Sequence, residues 1–268
     1  MAAEPGADSR SGNIVLDLDG VLYLSDEGIP GAAKALRALE SRGYRLLLAT
    51  NNSTRRRQEV ADFVATAIGY DIDPKQILTS ALASARLLGR DDSSPAYVVG
   101  EDGLVATLEA EGIGVTGDWR QAAAVVIGLD RAFNYERLRD ASLAIRAGAR
   151  FVATNTDATF PTPDGLWPGG GSMVAALVTA TGVEPEVAGK PHPPMTLLIK
   201  EHLGPGPTWV VGDRPETDLA LAVTEGWRKV LVLTGVTKHP EAVPAHLRPD
   251  LVVDSIAELP ERLTRSDQ

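Results

Sequence analysis

Two kinds of hydrophobic segment alternate along nearly the whole chain. The first kind is short and continuously apolar, as in 13–16, which is typical of a strand buried on both faces. The second kind places apolar residues at helical spacing, as in 30–42, where Ala35, Leu36 and Leu39 form one stripe and Pro30 falls in the first turn. This alternation of strands and helices predicts βαβ units and a parallel sheet.

The same pattern predicts further elements in three successive series. Predicted strands lie at 44–49, 97–99, 123–129, 151–153, 209–211, 230–233 and 251–253. Predicted helices lie at 55–67, 102–111, 135–147, 195–202 and 217–225. Gly43 suits the position after the first helix, Asn52 or Ser53 is the expected N-cap of the second, and the Gly169–Gly171 run is interpreted as loop punctuation.

Composition and charge narrow the class of protein. With 268 residues, 44% hydrophobic and 23% charged, the chain has the composition of one large or two modest globular domains. Cysteine is absent, which excludes disulfides, thiolate nucleophiles and cysteine-ligated metals. The net charge of -10 disfavours nucleic acid and anionic membranes as partners. Residues 1–12 are small and polar, so we expect a frayed segment there and a cytoplasmic protein.

Polar residues follow three of the predicted strands directly. Asp17 and Asp19 follow the first strand, Thr50 begins a Thr-Asn-Asn run after the second, and Asp213 follows the strand 209–211, with Asp218 five residues later. Strand ends are rich in turn-forming residues, so a single such ending carries little weight. Ligands bind at the carboxyl edge of open parallel sheets, so several such endings together predict a site there.

The carboxylates in these endings point to a bound cation. Asp17 and Asp19 are two residues apart, so in an extended chain both side chains project to the same side. Carboxylates so close together imply a divalent cation or a shared proton, and an all-oxygen ligand set that includes Asp213 favours Mg²⁺. Gly20 permits a tight turn whose amides can face an anion. Lys190 is a candidate cation for a phosphate, or else a solvated surface charge.

Four motifs in this order resemble those of the haloacid dehalogenase (HAD) superfamily of phosphotransferases. They are Asp17-Leu18-Asp19-Gly20, Thr50-Asn51-Asn52, Gly189-Lys190-Pro191 and Gly212-Asp213-Arg214-Pro215-Glu216-Thr217-Asp218. The resemblance covers nearly all of the chain after Gly12. It implies an α/β fold with a doubly wound parallel-sheet (Rossmannoid) core and an inserted α/β cap domain.

The spacing of the motifs indicates the subgroup. The interval from Asp17 to Thr50 holds only one helix and one strand, whereas the interval from Thr50 to Lys190 is much longer than one crossover needs. We therefore expect core segments at 13–88 and 184–268 with a cap at 89–183, hinged near its two ends. This placement resembles the NagD-like (class IIA, C2-type cap) phosphatases, which include pyridoxal phosphatase, phosphoglycolate phosphatase and p-nitrophenylphosphatase-like enzymes.

The resemblance also implies roles for single residues. Asp17 would be the nucleophile that forms an aspartyl-phosphate, and Asp19 the acid and base. Mg²⁺ would lie on the Asp17 carboxylate, the Asp19 backbone carbonyl and Asp213, with Asp218 supporting it. The remaining expected contacts are to substrate: Thr50, Asn51, Asn52 and Lys190 to the phosphate, and Asn155, Asp157 and Phe160 from the cap. The expected activity is magnesium-dependent hydrolysis of a small phosphomonoester.

Some features depart from the family pattern or leave alternatives open. Pro215 stands where the family has an aliphatic residue, so we expect a shifted Asp218 loop. Phe160 stands where pyridoxal phosphatase would have histidine, which weakens that assignment, and Phe160 as ordinary cap core is the alternative. A catalytically silent phosphate-binding or regulatory protein remains the rival function. A dinucleotide-dependent oxidoreductase is disfavoured because the first turn lacks G-x-G-x-x-G. The substrate and the oligomeric state, including a homodimer through the cap, stay open.

Overall fold

The computed structural model describes residues 12–89, 93–162 and 164–263. Of the segment expected to be frayed, residues 1–11 lie outside this range, and Gly12 is the first residue of the first strand. Among the described residues, no helix has both the length and the apolar character needed to cross a membrane.

The strands are numbered in chain order through the described residues. They are β1 (Gly12–Leu16), β2 (Tyr23–Leu24), β3 (Glu27–Gly28), β4 (Tyr44–Thr50), β5 (Ile77–Thr79), β6 (Ala96–Val99), β7 (Ala124–Ile127), β8 (Arg150–Ala153), β9 (Thr159–Thr162), β10 (Gly165–Pro168), β11 (Glu186–Val187), β12 (Thr208–Gly212), β13 (Arg228–Val232) and β14 (Leu251–Val253).

The helices are numbered in the same way. They are α1 (Ala32–Ser41), α2 (Arg57–Ile68), α3 (Ser80–Leu88), α4 (Asp102–Ala110), α5 (Tyr135–Arg146), α6 (Gly170–Thr181), α7 (Pro193–His202), α8 (Ala220–Glu225) and α9 (Leu259–Arg262).

The larger sheet has six strands in the order β14-β13-β12-β1-β4-β5. Its pairs β13/β14, β12/β13, β1/β12 and β1/β4 are parallel, and Leu16 of β1 is in register with Leu48 of β4 and Val211 of β12. The chain moves outward from β1 in one direction and then, from β12 onward, in the other. This reversal places a topological switch point between β1 and β12, where ligands bind in open α/β sheets.

A second parallel sheet has four strands in the order β11-β8-β7-β6. Alternate residues of β6, β7 and β8 form a core with the inward faces of α5 and α6, and this cluster includes Val99, Ile127 and Phe151. The small antiparallel pairs β2/β3 and β9/β10 are separate ribbons. Both main sheets are parallel and α/β in character, which confirms the predicted fold class.

The chain divides into two compact units. Among the described residues, the first unit comprises 12–48, Ala67–Tyr70 and 202–263, and the second comprises Ala49–Thr66, 71–89, 93–162 and 164–201. The first unit holds β1, β12, β13 and β14, and the second holds the whole four-stranded sheet. β4 begins in the first unit and ends in the second. The predicted cap boundaries at 89 and 183 stay a prediction.

Most predicted elements are present, with local differences at their ends. Gly43 follows α1 with a φ of 84°, as predicted, but Pro30 lies outside that helix, because Gly31 is its N-cap. The predicted N-caps of α2 are wrong, since the helix begins at Arg57 and the Asn52 side chain instead accepts from the amide of Thr54. The patterns did not indicate α3 or the β9/β10 ribbon.

Gly170 and Gly171 belong to the first turn of α6, so reading the Gly169–Gly171 run as loop punctuation is wrong. The physical reason is space. A Cβ on Gly169 would lie 2.3 Å from the carbonyl oxygen of Asp157, and one on Gly171 would lie 2.3 Å from that of Thr156. These glycines allow the start of a helix to pack directly on the loop after β8.

Candidate active site

Three carboxylates meet at the switch point of the first unit. The ladder between β1 and β12 continues one residue beyond β1, where the amide of Asp17 donates to the carbonyl of Val211 at 2.9 Å. Asp213 directly follows β12. One oxygen each from Asp17, Asp213 and Asp218 lie within 4.8 Å of one another, and this is the group of metal-competent side chains found among the described residues. Parallel pairing thus brings together residues far apart in sequence.

The Asp213 carboxylate is held from several sides. Its Oδ2 accepts from the amide of Val236 at 2.5 Å, and its side chain is buried. A Cβ on Gly20 would lie 2.6 Å from this oxygen, and a Cβ on Gly235 only 1.9 Å from it. Gly20 also has a φ of 82°, a conformation that favours glycine. The two glycines therefore make the space in which the carboxylate lies.

Asp218 reaches the cluster through an unusual turn. Residues Pro215–Leu219 form one π-helical turn before α8, in which the Asp218 amide donates to the Arg214 carbonyl at 2.8 Å. Asp218 Oδ2 accepts from the Arg214 amide at 3.1 Å. Pro215 occupies the first position of the turn, where its missing N–H costs no helical hydrogen bond. π-turns of this kind are frequent at functional sites.

Asp19 lies just before the β2/β3 ribbon. It forms a β-bridge with Tyr23, and the amide of Gly20 donates to the Tyr23 carbonyl at 2.7 Å. The β2/β3 ribbon follows at once. Asp19 is partly buried, as is Asp17, so both side chains retain access to solvent. This exposure is compatible with a role in moving protons to and from bound molecules.

The second unit carries the other predicted site residues. Thr50 is the last residue of β4 and is buried, and its hydroxyl oxygen accepts from the Asn52 amide at 3.0 Å. Asn52 is exposed, and its Oδ1 accepts from the amide and hydroxyl of Thr54 at 2.9 and 2.8 Å. These bonds fold the Thr-Asn-Asn run into a tight turn at the strand end.

Asn51 is the most connected residue of this turn. Its Oδ1 accepts from the amide of Lys190 at 2.7 Å, and its Nδ2 donates to the carbonyl of Lys190 at 3.1 Å. The same Nδ2 lies 3.2 Å from Asp157 Oδ2. The Asn51 carbonyl accepts from Ser80 Oγ at 2.6 Å and from Asn155 Nδ2 at 2.8 Å. Within the second unit, the structure therefore brings together four predicted site residues: Asn51, Asn155, Asp157 and Lys190.

Lys190 is 4% exposed, so it is not the solvated surface charge of the alternative interpretation. It follows β11, and the preceding Gly189 donates to the carbonyl of Thr154 at 2.8 Å. A Cβ on Gly189 would lie 2.5 Å from Asn51 Oδ1 and 2.4 Å from that carbonyl. Glycine before the lysine is therefore required by close packing.

The remaining residue predicted for the cap, Phe160, lies on β9. Its ring packs edge-to-face on Trp167 of β10, with centroids 6.2 Å apart. Phe160 is partly buried and Trp167 is 44% exposed, so the aromatic pair belongs to a ribbon surface and not to the main apolar cluster of the four-stranded sheet.

Two segments of the chain match known protein families. Residues 14–114 match the haloacid dehalogenase-like hydrolases, and residues 187–259 match a second, HAD-hydrolase-like family. Together the matches cover more than half of the chain and contain all four motifs. The chain belongs to the haloacid dehalogenase-like hydrolase family.

Its relatives in this family are phosphatases. The chain is 36% identical to 5′-nucleotidase YutF of Bacillus subtilis, over 91% of this chain and 95% of that protein. It is 37% identical to dihydroxyacetone phosphatase of Corynebacterium glutamicum, over 91% and 88%. The crystal structure of glycerol phosphate phosphatase from Mycobacterium tuberculosis in complex with magnesium has a TM-score of 0.84 and 35% identity, over 92% of this chain and 76% of that one.

These similarities confirm several predictions. The chain is a HAD-type phosphoric monoester hydrolase of the NagD-like group, and the related glycerol phosphate phosphatase was crystallised in complex with magnesium. The donor set fits that metal, because Asp17, Asp213 and Asp218 offer hard carboxylate oxygens within 4.8 Å, and two glycines leave room around Asp213. The roles of single residues, the homodimer and the cytoplasmic location stay predictions.

Two titratable features that follow other strands of the second unit were missed. Glu101, after β6, accepts two hydrogen bonds from the Arg131 guanidinium at 2.6 and 2.7 Å, and these bonds hold the pKa of its carboxyl below the usual range. Close to Lys190, burial lowers the pKa of His192, which favours the neutral imidazole. Inspecting every strand end, including Gly235 and Val236 after β13, would have found most of these residues.

Proposed function

We propose that the chain hydrolyses small phosphomonoesters with Asp17 as the nucleophile. The observation that carries the proposal is the cluster of Asp17, Asp213 and Asp218 oxygens at the switch point between β1 and β12. An Asp17 oxygen attacks phosphorus, and the bond from phosphorus to the alcohol oxygen breaks, leaving an aspartyl-phosphate. Water then attacks the same phosphorus, which releases inorganic phosphate and restores the Asp17 carboxylate.

Asp19 moves the protons in both steps. Its carboxyl gives a proton to the departing alcohol oxygen and, as carboxylate, takes one from the attacking water. The magnesium ligands in this proposal are the Asp17 carboxylate, the Asp19 backbone carbonyl and Asp213, and the three-carboxylate cluster supports adding Asp218 directly. Bound magnesium offsets the negative charge shared by these carboxylates and the phosphoryl group.

The phosphate contacts in this proposal are Thr50, Asn52 and Lys190. β4 pairs with β1 and ends at Thr50, whose hydroxyl contacts a phosphate oxygen, with Asn52 beside it. Lys190 offsets the charge of the transferred group. Its burial supports this role, because a buried ammonium is retained where it interacts with anionic groups.

The cap and the substrate complete the proposal. Residues 89–183 form a hinged cap, from which Asn155, Asp157 and Phe160 select the alcohol part of the substrate. The relatives named for nucleotides, dihydroxyacetone phosphate and glycerol phosphate support a small organic phosphate as substrate. Cytoplasmic location and a homodimer through the cap belong to the same proposal.

Hydrolysis of p-nitrophenyl phosphate tests the proposal most directly. The wild-type protein with Mg²⁺ should release p-nitrophenol, and Asp17→Asn should abolish turnover, because the isosteric amide cannot attack phosphorus. Asp71→Asn, the same change at an exposed aspartate, is the control and should keep the wild-type rate. Wild-type rates for Asp17→Asn in single-turnover assays would remove Asp17 as nucleophile, and an inactive wild-type protein would favour the silent binding protein.

A further inference from the structure

Asn51 makes hydrogen bonds that involve both ends of its side-chain amide and use both of its N–H donors. Its Oδ1 accepts from the Lys190 amide, and its Nδ2 donates to the Lys190 carbonyl and to the Asp157 carboxylate. An asparagine side chain offers one carbonyl oxygen and two N–H donors, and the two N–H groups match the two acceptors. No donor of this amide is left over for a phosphate oxygen.

The partners also determine which way the amide points. The Lys190 backbone N–H can only donate, so the Asn51 atom that faces it at 2.7 Å must be oxygen. The opposite atom faces a carbonyl and a carboxylate, which can only accept, so it must be the NH₂ group. A reversed amide would oppose donor to donor and acceptor to acceptor. The orientation is therefore fixed by three partner groups: the Lys190 N–H, the Lys190 carbonyl and the Asp157 carboxylate.

Further hydrogen bonds and close packing hold Asn51 in place. Ser80 Oγ and Asn155 Nδ2 both donate to the backbone carbonyl of Asn51, and the residue is buried. Gly189 leaves space for Oδ1, since a Cβ there would lie 2.5 Å from it. Asn155 Oδ1 in turn accepts from the Asp157 amide at 3.0 Å. The contacts thus form one connected network from the end of β4 to the loops after β8 and β11.

We propose that Asn51 is a positioning residue, which aligns Lys190 and Asp157 with each other, in place of the phosphate contact predicted from sequence. The proposal rests on the proposed function in one respect: Lys190 must contribute to turnover. The Asn51 side chain binds both the N–H and the carbonyl of the Lys190 backbone. These two bonds hold the backbone of Lys190 in one position, from which its side chain extends. The contact to Asp157 ties the loop after β8 to the same position.

A donor-acceptor exchange tests the network. Asn51→Asp keeps the oxygen that faces the Lys190 amide but places a carboxylate against Asp157. With p-nitrophenyl phosphate, kcat should fall about a hundredfold, whereas the KM and the inhibition constant of inorganic phosphate should change less than about threefold. Adding Asp157→Asn restores a donor opposite the new carboxylate, so the double variant should recover at least about tenfold in kcat, or about 1.4 kcal/mol. Recovery stays partial because the Lys190 carbonyl still lacks its donor.

A matched control comes from the same unit. Gln58 Nε2 donates to Asp62 Oδ1 at 2.9 Å on the exposed face of α2, so Gln58→Glu makes the same exchange of amide for carboxylate opposite an aspartate. It should keep kcat within about twofold of wild type. Thermal melting of every variant separates loss of positioning from loss of folding, and the double variant should melt within about 5 °C of wild type.

The outcomes separate the inference from the proposed function. A normal rate for Lys190→Ala refutes the role of Lys190 and the inference with it. A slow Lys190→Ala beside an Asn51→Asp of wild-type kcat refutes the inference alone. An Asn51→Asp that raises the inhibition constant of inorganic phosphate about tenfold, without recovery in the double variant, makes Asn51 a phosphate ligand. If Asn51→Asp does not fold, the double variant decides, because its failure to fold also overturns the pairing with Asp157.

Discussion

Lys190 illustrates, at the scale of the residue, how burial changes the interpretation of a residue type. From sequence, a lysine in a Gly-Lys-Pro loop is most often an exposed charge. In the structure it is 4% exposed, and both polar groups of its backbone bind Asn51. Burying an ammonium is costly without anionic groups nearby, so the burial supports the proposed role of Lys190 beside a charged group.

Replacing Lys190 by alanine should therefore slow turnover much more than it lowers stability. Loss of one such charge-stabilising group typically costs about a hundredfold or more in kcat. Steady-state assays with p-nitrophenyl phosphate, together with thermal melting, measure both effects. Lys75→Ala, at an exposed position, serves as the control and should behave as wild type. A kcat of Lys190→Ala within about threefold of wild type would contradict the assignment.

At the scale of the element, the β9/β10 ribbon is one part of the second unit that the sequence patterns did not predict. Its strands have four residues each, and one contains Pro161, which is unfavourable in a regular strand. Phe160 and Trp167 are in register and share one face, whereas Leu166 is 67% exposed and lies on the other. The two faces of the ribbon can therefore be tested separately.

Phe160→Ala should change the ranking of substrates. If this face contacts the alcohol part of the substrate, removing the ring alters kcat/KM unequally across sugar phosphates, nucleotides and phosphoglycolate. A very small ester such as acetyl phosphate should be affected much less, because the phosphoryl contacts are made elsewhere. Leu166→Ala, from the opposite face, is the matched control and should preserve the ranking. An equal loss for every substrate after Phe160→Ala would assign the ring to structural packing.

At the scale of the whole molecule, one cluster of carboxylates should lower the stability of the folded protein, because like charges repel. The chain has a net charge of -10, and it nevertheless places Asp17, Asp213 and Asp218 oxygens within 4.8 Å of one another. Asp213 and Asp218 are buried, where repulsion between carboxylates is weakly screened. A divalent cation relieves this repulsion, so metal binding and stability should be linked.

Magnesium should therefore raise the melting temperature. At about 100 times its Kd, a ligand that binds only the folded state stabilises it by about 2.7 kcal/mol, which corresponds to roughly 5 to 10 °C for a chain of this size. Thermal melting with EDTA and with increasing Mg²⁺ measures the shift. Asp213→Asn should lose most of it, whereas Asp254→Asn, at an exposed site of the same unit, should keep it. The same shift in both variants would place the metal elsewhere.

Local and periodic features were readable from the sequence alone. Buried parallel strands are continuously apolar, so β1, β12 and β14 could be placed to within two residues. The rule that ligands bind at the carboxyl edge of a parallel sheet singled out Asp17, Thr50 and Asp213. These inferences succeed because each depends on a short stretch of chain and on one general property of parallel sheets.

Only the tertiary structure decided which atoms meet and what each side chain is free to do. Asn51 finds Asp157 and Lys190 at separations of 106 and 139 residues, and no local pattern records such pairing. The same holds for Val236 and Gly235 around Asp213, and for the glycines that start α6 where a loop leaves no room for a Cβ. Sequence periodicity reports which face of an element is buried, whereas hydrogen-bond partners and steric limits depend on the packing of distant segments.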